Sequence, residues 1–170
     1  SKRLVQILNS NPSKEIAALT SQCIFNFLDA HPSASRALAE NQALSAMGNY
    51  ITEETDIDVA RYLIKSVSAI SENRPNEMGK EIGLEPFLKL FDKFRLPDKV
   101  SAAVAMDRIT ANYSDTRLLI YIPQLFDILL HSEENVMVPI VTSIKNVIQK
   151  VNIEDLSQMD KALISRMVDA

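Results

Sequence analysis

Residues 55–73 read TDIDVARYLIKSVSAISEN, and this stretch decides the fold. Apolar residues Ile57, Val59, Ala60, Leu63, Ile64, Val67 and Ile70 occupy most of a helical circumference. The polar residues Asp58, Arg61, Lys65, Ser68 and Glu72 recur at steps of three and four, so they line up in one narrow stripe. A helix with that pattern is clasped on several sides by other helices and shows one strip to solvent. Thr55 is expected to cap it, with Asp58 at the capping-box position.

Working outward, the same order of elements recurs. Upstream come short helices at 2–9, 34–40 and 43–51 and a longer one ending near Ala30, which Ser13 and Glu15 are placed to start. Downstream, Arg74-Pro75 breaks the chain, helices at 76–82 and 84–94 flank a turn at Gly83, and Leu96-Pro97-Asp98 punctuates before a long helix at 98–113. Further helices follow at 122–130 and 134–151, and Ile153–Val168 forms a last amphipathic segment, read as the end of a truncated solenoid rather than a cap. The matching core positions of the four long helices are Phe27, Ile70, Ile109 and Val147, spaced by 43, 39 and 38 residues. A period near 40 with three helices per unit is the sequence signature of an armadillo-type solenoid, with two-helix HEAT units as the alternative. The predicted fold is therefore all-α, a right-handed α-α superhelix of about three and a half repeats. Its units fall near 1–30, 33–73, 75–113 and 115–151, with a partial repeat over 153–170, all in one domain.

Composition agrees with that class. The chain has 170 residues, 46% hydrophobic and 24% charged, enough for a substantial core. A net charge of −4 without a basic run argues against nucleic acid, and no apolar run approaches the roughly 18 residues that span a bilayer. A single cysteine excludes an internal disulfide framework and is what a cytoplasmic or nuclear protein would carry. The N-terminal SKRLVQIL has neither an initiator methionine nor a signal-peptide pattern, and is read as part of a longer protein.

No constellation of residues points to chemistry. Cys23, set among Leu19, Ile24 and Phe27, is expected to be a small buried hydrophobe. His31 and His131 lie in distant turns, so no metal set and no catalytic base for the thiol is legible. The acidic runs at Glu53, Glu54, Asp56 and Asp58, and at Glu133 and Glu134, fit helix starts better than a calcium loop. The methionines read as core filling. The chain is therefore read as not an enzyme, with no cofactor, no metal and no small-molecule substrate.

The junction KEIGLEPFLKLF at 80–91 resembles the armadillo turn between a first and a second helix; Gln42, and Tyr121-Ile122-Pro123, stand at the corresponding points of the neighbouring units. The segments FLDAHPSASRALAENQALSAM, IDVARYLIKSVSAIS, GLEPFLKLFDKF and VSAAVAMDRIT, in this order, resemble the armadillo-like region of large HECT-type ubiquitin ligases of the ubiquitin-fusion-degradation and thyroid-receptor-interacting class. That resemblance implies a non-catalytic protein–protein interaction module that recognises substrates, with the ligase chemistry in a separate HECT domain. The alternative is an armadillo scaffold or chaperone adaptor unrelated to ubiquitin.

In armadillo proteins the long helices line a concave groove. Aligning the four here gives four rows: Ala18, Arg61, Val100, Val138; Gln22, Lys65, Val104, Thr142; Asn26, Ala69, Arg108, Asn146; and Asp29, Glu72, Ala111, Gln149. In relatives such as importin-alpha the third row is an asparagine ladder and the second carries tryptophan. Asn26 and Asn146 fit the ladder, Ala69 and Arg108 depart from it, and the chain has no tryptophan. The candidate groove residues are Gln22, Asn26, Arg61, Lys65, Glu72, Val104, Arg108, Thr142 and Asn146. Arg61, Lys65 and Arg108 make its middle basic, so the expected partner is a protein or peptide with an acidic or mixed surface.

Overall fold

In the computed structural model, residues 2–52, 54–113 and 116–150 are described. They form ten α-helices and two short 3-10 segments, with no strand among them. In order these are α1 (Lys2–Asn9), α2 (Lys14–Ala30), α3 (Ala34–Glu40), α4 (Ala43–Tyr50), α5 (Ile57–Asn73), α6 (Pro75–Glu81), α7 (Glu85–Leu90), α8 (Leu96–Asn112), α9 (Ile122–Leu130) and α10 (Glu134–Gln149). The 3-10 segments are Phe91–Lys93, which ends the helix expected to run on to Phe94, and Thr116–Tyr121. Segment 153–168 lies outside the described residues.

Two short helices precede each of the long helices α5 and α8, although α7 is no longer than α6, and the long helices are near neighbours. Helix α5 packs between α2 and α8, and α8 between α5 and α10. The architecture is an armadillo-like solenoid. Its core is drawn from all groups of helices: Ile24, Leu38, Leu44, Met47, Leu63, Ile64, Ile70, Met78, Leu84, Phe87, Leu90, Met106, Ile109, Ile122 and Ile140 are fully buried. Each such side chain contributes about 1.5–3 kcal/mol over its exposed state. No group of helices could bury that surface alone, which is why they stack.

Local chemistry explains the breaks. Prolines 75, 86, 97 and 123 sit in the first turns of α6, α7, α8 and α9, where a missing N–H costs nothing. Pro97 therefore lies inside α8, which starts at Leu96, two residues earlier than the expected start at Asp98. Gly83 turns the chain from α6 to α7 with φ of 66°. Its missing Cβ would meet nothing, so conformation and not space favours glycine there. Gln42 makes the equivalent corner before α4 with φ of 60°, at a steric cost of about 1–2 kcal/mol for a residue bearing a side chain. Gly79 is a matter of space: a Cβ on it would run into the Cβ and ring of Tyr113, where α6 lies on α8.

The start of α5 differs from expectation. Asp56 is the N-cap, its carboxylate accepting the Asp58 N–H at 3.0 Å. Thr55 instead closes the preceding turn, accepting from the Thr52 N–H and donating to the Tyr50 carbonyl, both at 2.8 Å. Cys23 also differs: it is exposed. So are Ile16, Leu19 and Phe27 on the same face of α2, with relative exposures of 49%, 64% and 37%. Met137, expected in the core, is 38% exposed. The physical reason is the same for all of them: no described helix stacks on those faces.

Candidate protein-binding groove

The strip is built by α2, α5, α8 and α10. Three of these helices, α2, α5 and α8, are 17 residues long, so aligning their ends fixes a register. Burial supports it. Ala17, Thr20, Ser21, Ile24 and Leu28 of α2 are buried, and so are their register mates Ala60, Leu63, Ile64, Val67 and Ser71 of α5.

Contacts between neighbouring long helices follow the same register. Arg108 reaches back from α8 to α5: its Nη1 donates to the Ser68 carbonyl at 3.0 Å and to Ser71 Oγ at 2.9 Å, and its Nη2 to Glu72 at 3.1 Å. Asn146 makes the equivalent reach from α10 to α8. Its Nδ2 donates to Asp107 Oδ1 at 3.1 Å and to Thr110 Oγ1 at 3.4 Å, the register mates of Ser68 and Ser71. Burial pushes the Asp107 carboxyl above the ordinary aspartate range, against the opposing hydrogen bond from Asn146 and the nearby Arg108 charge. Lys150 then closes the end of α8, its Nζ donating to the carbonyls of Thr110 and Ala111 at 2.6 Å, a cation on the negative end of a helix. Burial lowers its pKa.

The first two rows hold the other cations. Arg61 lies 3.0 Å from Asp58 and 2.8 Å from Asp98; Lys65 lies 3.1 Å from the other oxygen of Asp98. The Arg61 pKa is raised, first by the hydrogen bond with Asp58 and then by the charge of Asp98. Asp98 is only 1% exposed. Its contacts are ionic rather than well-aligned hydrogen bonds, since Arg61 Nε and Asp98 Oδ1 have no aligned partner. The Lys65 ammonium also lies 5.9 Å from the centre of the Phe25 ring, which in turn packs on Tyr62.

Of the residues singled out from the sequence, Arg61, Lys65, Glu72, Arg108 and Asn146 make contacts between neighbouring long helices, with one change of meaning. Arg61, Lys65 and Arg108 all have carboxylate partners within the chain, so the middle of the strip is a charge-matched lattice and not a bare basic surface. Gln22, Asn26 and Glu72 are exposed; Val104, Thr142 and Asn146 are half-buried. Thr142 donates its hydroxyl to the Val138 carbonyl of its own helix at 2.9 Å. Sequence reading missed Asp98 and Phe25. Asp98 looked like a helix-start residue, and nothing in its own neighbourhood reveals that Arg61 and Lys65 arrive from the preceding long helix. Between α2 and α5 the strip opens into a cavity of about 400 Å³.

Among the described residues, the two histidines stand apart from the strip. The His31 ring lies tilted beside Phe27, and His131 Nδ1 lies 2.8 Å from the Asp127 carbonyl at the end of α9. Among the described residues no group of three or more His, Cys, Asp or Glu could hold a metal ion. No described helix is long and apolar enough to cross a membrane.

Comparison with known proteins supports the architecture. The sequence matches no protein-family model and no curated protein. Among solved structures, a designed armadillo repeat protein superposes with a TM-score of 0.66 at 20% identity, over 98% of this chain and 79% of that one. A second designed armadillo repeat protein, solved in complex with the peptide (KR)4, superposes with a TM-score of 0.67 at 20% identity, over 98% of this chain and 78% of that one. An engineered protein gives a TM-score of 0.66 at 16% identity, over 99% of this chain and 66% of that one. The fold is that of an armadillo repeat solenoid. At these identities the likeness extends to the fold alone.

Proposed function

We propose that this chain is a non-catalytic protein–protein interaction module whose strip of four long helices receives an extended segment of a partner. The observation that carries the reading is the regular side-by-side array itself. Rows of mixed polar and apolar side chains on α2, α5, α8 and α10 stand in register, partly exposed, with a cavity opening among them. A second armadillo solenoid with the same backbone course binds a peptide, which supports this use of the surface. The partner we propose is of mixed charge. Its acidic groups would engage Arg61 and Arg108 in exchange for Asp58 and Glu72, whose side chains are 68% and 61% exposed.

The sequence resemblance supports a finer reading: the module recognises substrates for a HECT-type ubiquitin ligase. A HECT domain encoded downstream in the same gene would support that assignment, and an uninterrupted gene without one would remove it. Whatever the parent protein, the groove reading is tested by partner recovery. Purification on the double variant Lys65→Glu with Arg108→Glu should lose partners that the unaltered chain retains, after both are shown to melt cooperatively. Retention of every partner by the folded double variant would sink the proposal.

A further inference from the structure

The third row reaches back to the preceding long helix at two interfaces and fails at the first. Arg108 and Asn146 fill the spaces between α5 and α8 and between α8 and α10. The register mate of both on α5 is Ala69, whose side chain ends at a methyl group. Facing it on α2 are Phe25, Leu28 and Asp29, the register mates of the Ser68, Ser71 and Glu72 that bind Arg108. These residues line the cavity of about 400 Å³, together with Lys65 and Glu72.

We infer that this cavity is a binding site for an arginine side chain of the partner, which takes the place that Arg108 fills one interface further on. The inference rests on the groove reading above and names one subsite within it. Glu72 shows the electrostatics at work, because it pairs with Arg108 through Oε1. Asp29 occupies the same register position on α2, is exposed, and forms no ion pair among the described residues, Lys65 being the cation that lines the same cavity. It lies in the last turn of α2, which carries no basic residue, so the carboxylate adds to the negative end of the helix dipole. Leu28 and the Phe25 ring give an apolar wall for the aliphatic stem of the incoming side chain. The one like charge at the site, Lys65, is already matched by the buried Asp98. A guanidinium fits better than an ammonium because its fork can engage the Asp29 carboxylate and a helix carbonyl together, as Arg108 engages Glu72 and Ser68.

The test is selection of binders from a random dodecapeptide display library. Peptides selected on the unaltered protein should share an arginine at one position. Replacing that arginine by norleucine in a synthetic peptide should weaken binding by roughly tenfold or more. Asp29→Asn should produce a similar loss. Ala69→Arg, which supplies the missing side chain from within, should erase the preference for arginine while leaving the protein folded. Selected peptides without a fixed arginine, or with one that is indifferent to both variants, overturn this subsite and leave the groove reading standing. Failure to select any peptide that competes for the strip overturns the groove reading and the subsite with it.

Discussion

Helices α2 and α5 have the same length and the same register, yet they meet different surroundings. Five buried positions of α2 have buried mates on α5. The mates of Val59, Ser66 and Ile70, which are buried on α5, are Ile16, Cys23 and Phe27, which are not fully buried on α2. Leu19 extends that open face. Burial in a solenoid is therefore a property of the neighbour as much as of the residue. Helix α5 has α2 on one side and α8 on the other, whereas no described long helix covers the outer side of α2. Hydrophobic periodicity identifies the faces that can be buried; stacking decides which ones are.

Thiol chemistry offers the sharpest way to break this comparison. Cys23 should react with a thiol reagent in the native state at close to the rate of an unhindered thiol. A cysteine placed at its register mate, by Ser66→Cys in a Cys23→Ser background, should react only when the structure opens. The rate difference should reach a factor on the order of a thousand or more, set by the opening free energy of the core. Equal protection at both positions would mean that another element covers α2. Truncation is the next largest effect. Ile70 is fully buried, and Ile70→Ala should cost about 2–5 kcal/mol in urea unfolding. Phe27→Ala, despite deleting a larger side chain, should cost roughly half of that or less, because Phe27 is already 37% exposed and leaves no closed cavity. Equal costs would contradict the open face.

How much of this was legible in the sequence follows from the same contrast. The long helices, their register and the two corners at Gln42 and Gly83 were readable, because periodicity and turn chemistry are local. The spacing of Phe27, Ile70, Ile109 and Val147 identified equivalent positions correctly, but equivalence did not carry burial with it, as Phe27 and Cys23 show. The rows of the strip were readable for the same reason as the register. Their charge state was not: Arg61 and Lys65 owe their main partner to Asp98, 37 and 33 positions along the chain, and only stacking brings α8 against α5. The cavity beside Ala69 was visible in the sequence only as a departure from the asparagine ladder, and the contacts of Arg108 and Asn146 show what the third row does at the other interfaces.

The links made by the third row can be ranked in turn. Arg108→Ala removes a charged donor that serves Ser68, Ser71 and Glu72 from a side chain 29% exposed, and should cost about 1–3 kcal/mol. Asn146→Ala removes an uncharged donor that serves the Asp107 carboxyl and, at the longer distance of 3.4 Å, Thr110, and should cost about 0.5–1.5 kcal/mol. Matched unfolding curves would decide the order, and a reversal would show that the Arg108 link is dominated by solvent screening.

The smallest effects distinguish the first interface from the last by the sign of their pH dependence. At the first, Lys14 of α2 meets Asp56 at the start of α5 at 2.7 Å, and the Lys14 hydrogen bond holds the Asp56 carboxyl below the ordinary aspartate range. A depressed carboxyl contributes stability above its unfolded pKa and loses it as pH falls through the folded value. At the last interface, burial raises Asp107 above the ordinary range. There the unfolded chain gives up its proton first as pH rises, so stability falls between the unfolded and the folded pKa. Asp56→Asn should therefore flatten part of the destabilisation seen on acidification. Asp107→Asn should remove a small decline on the alkaline side of the aspartate range. Chemical unfolding between pH 3 and pH 7 would check both. Two variants with the same sign of effect would mean that Asp107 is held by its Asn146 and Arg108 neighbours more strongly than burial opposes them, and that the two interfaces are electrostatically alike.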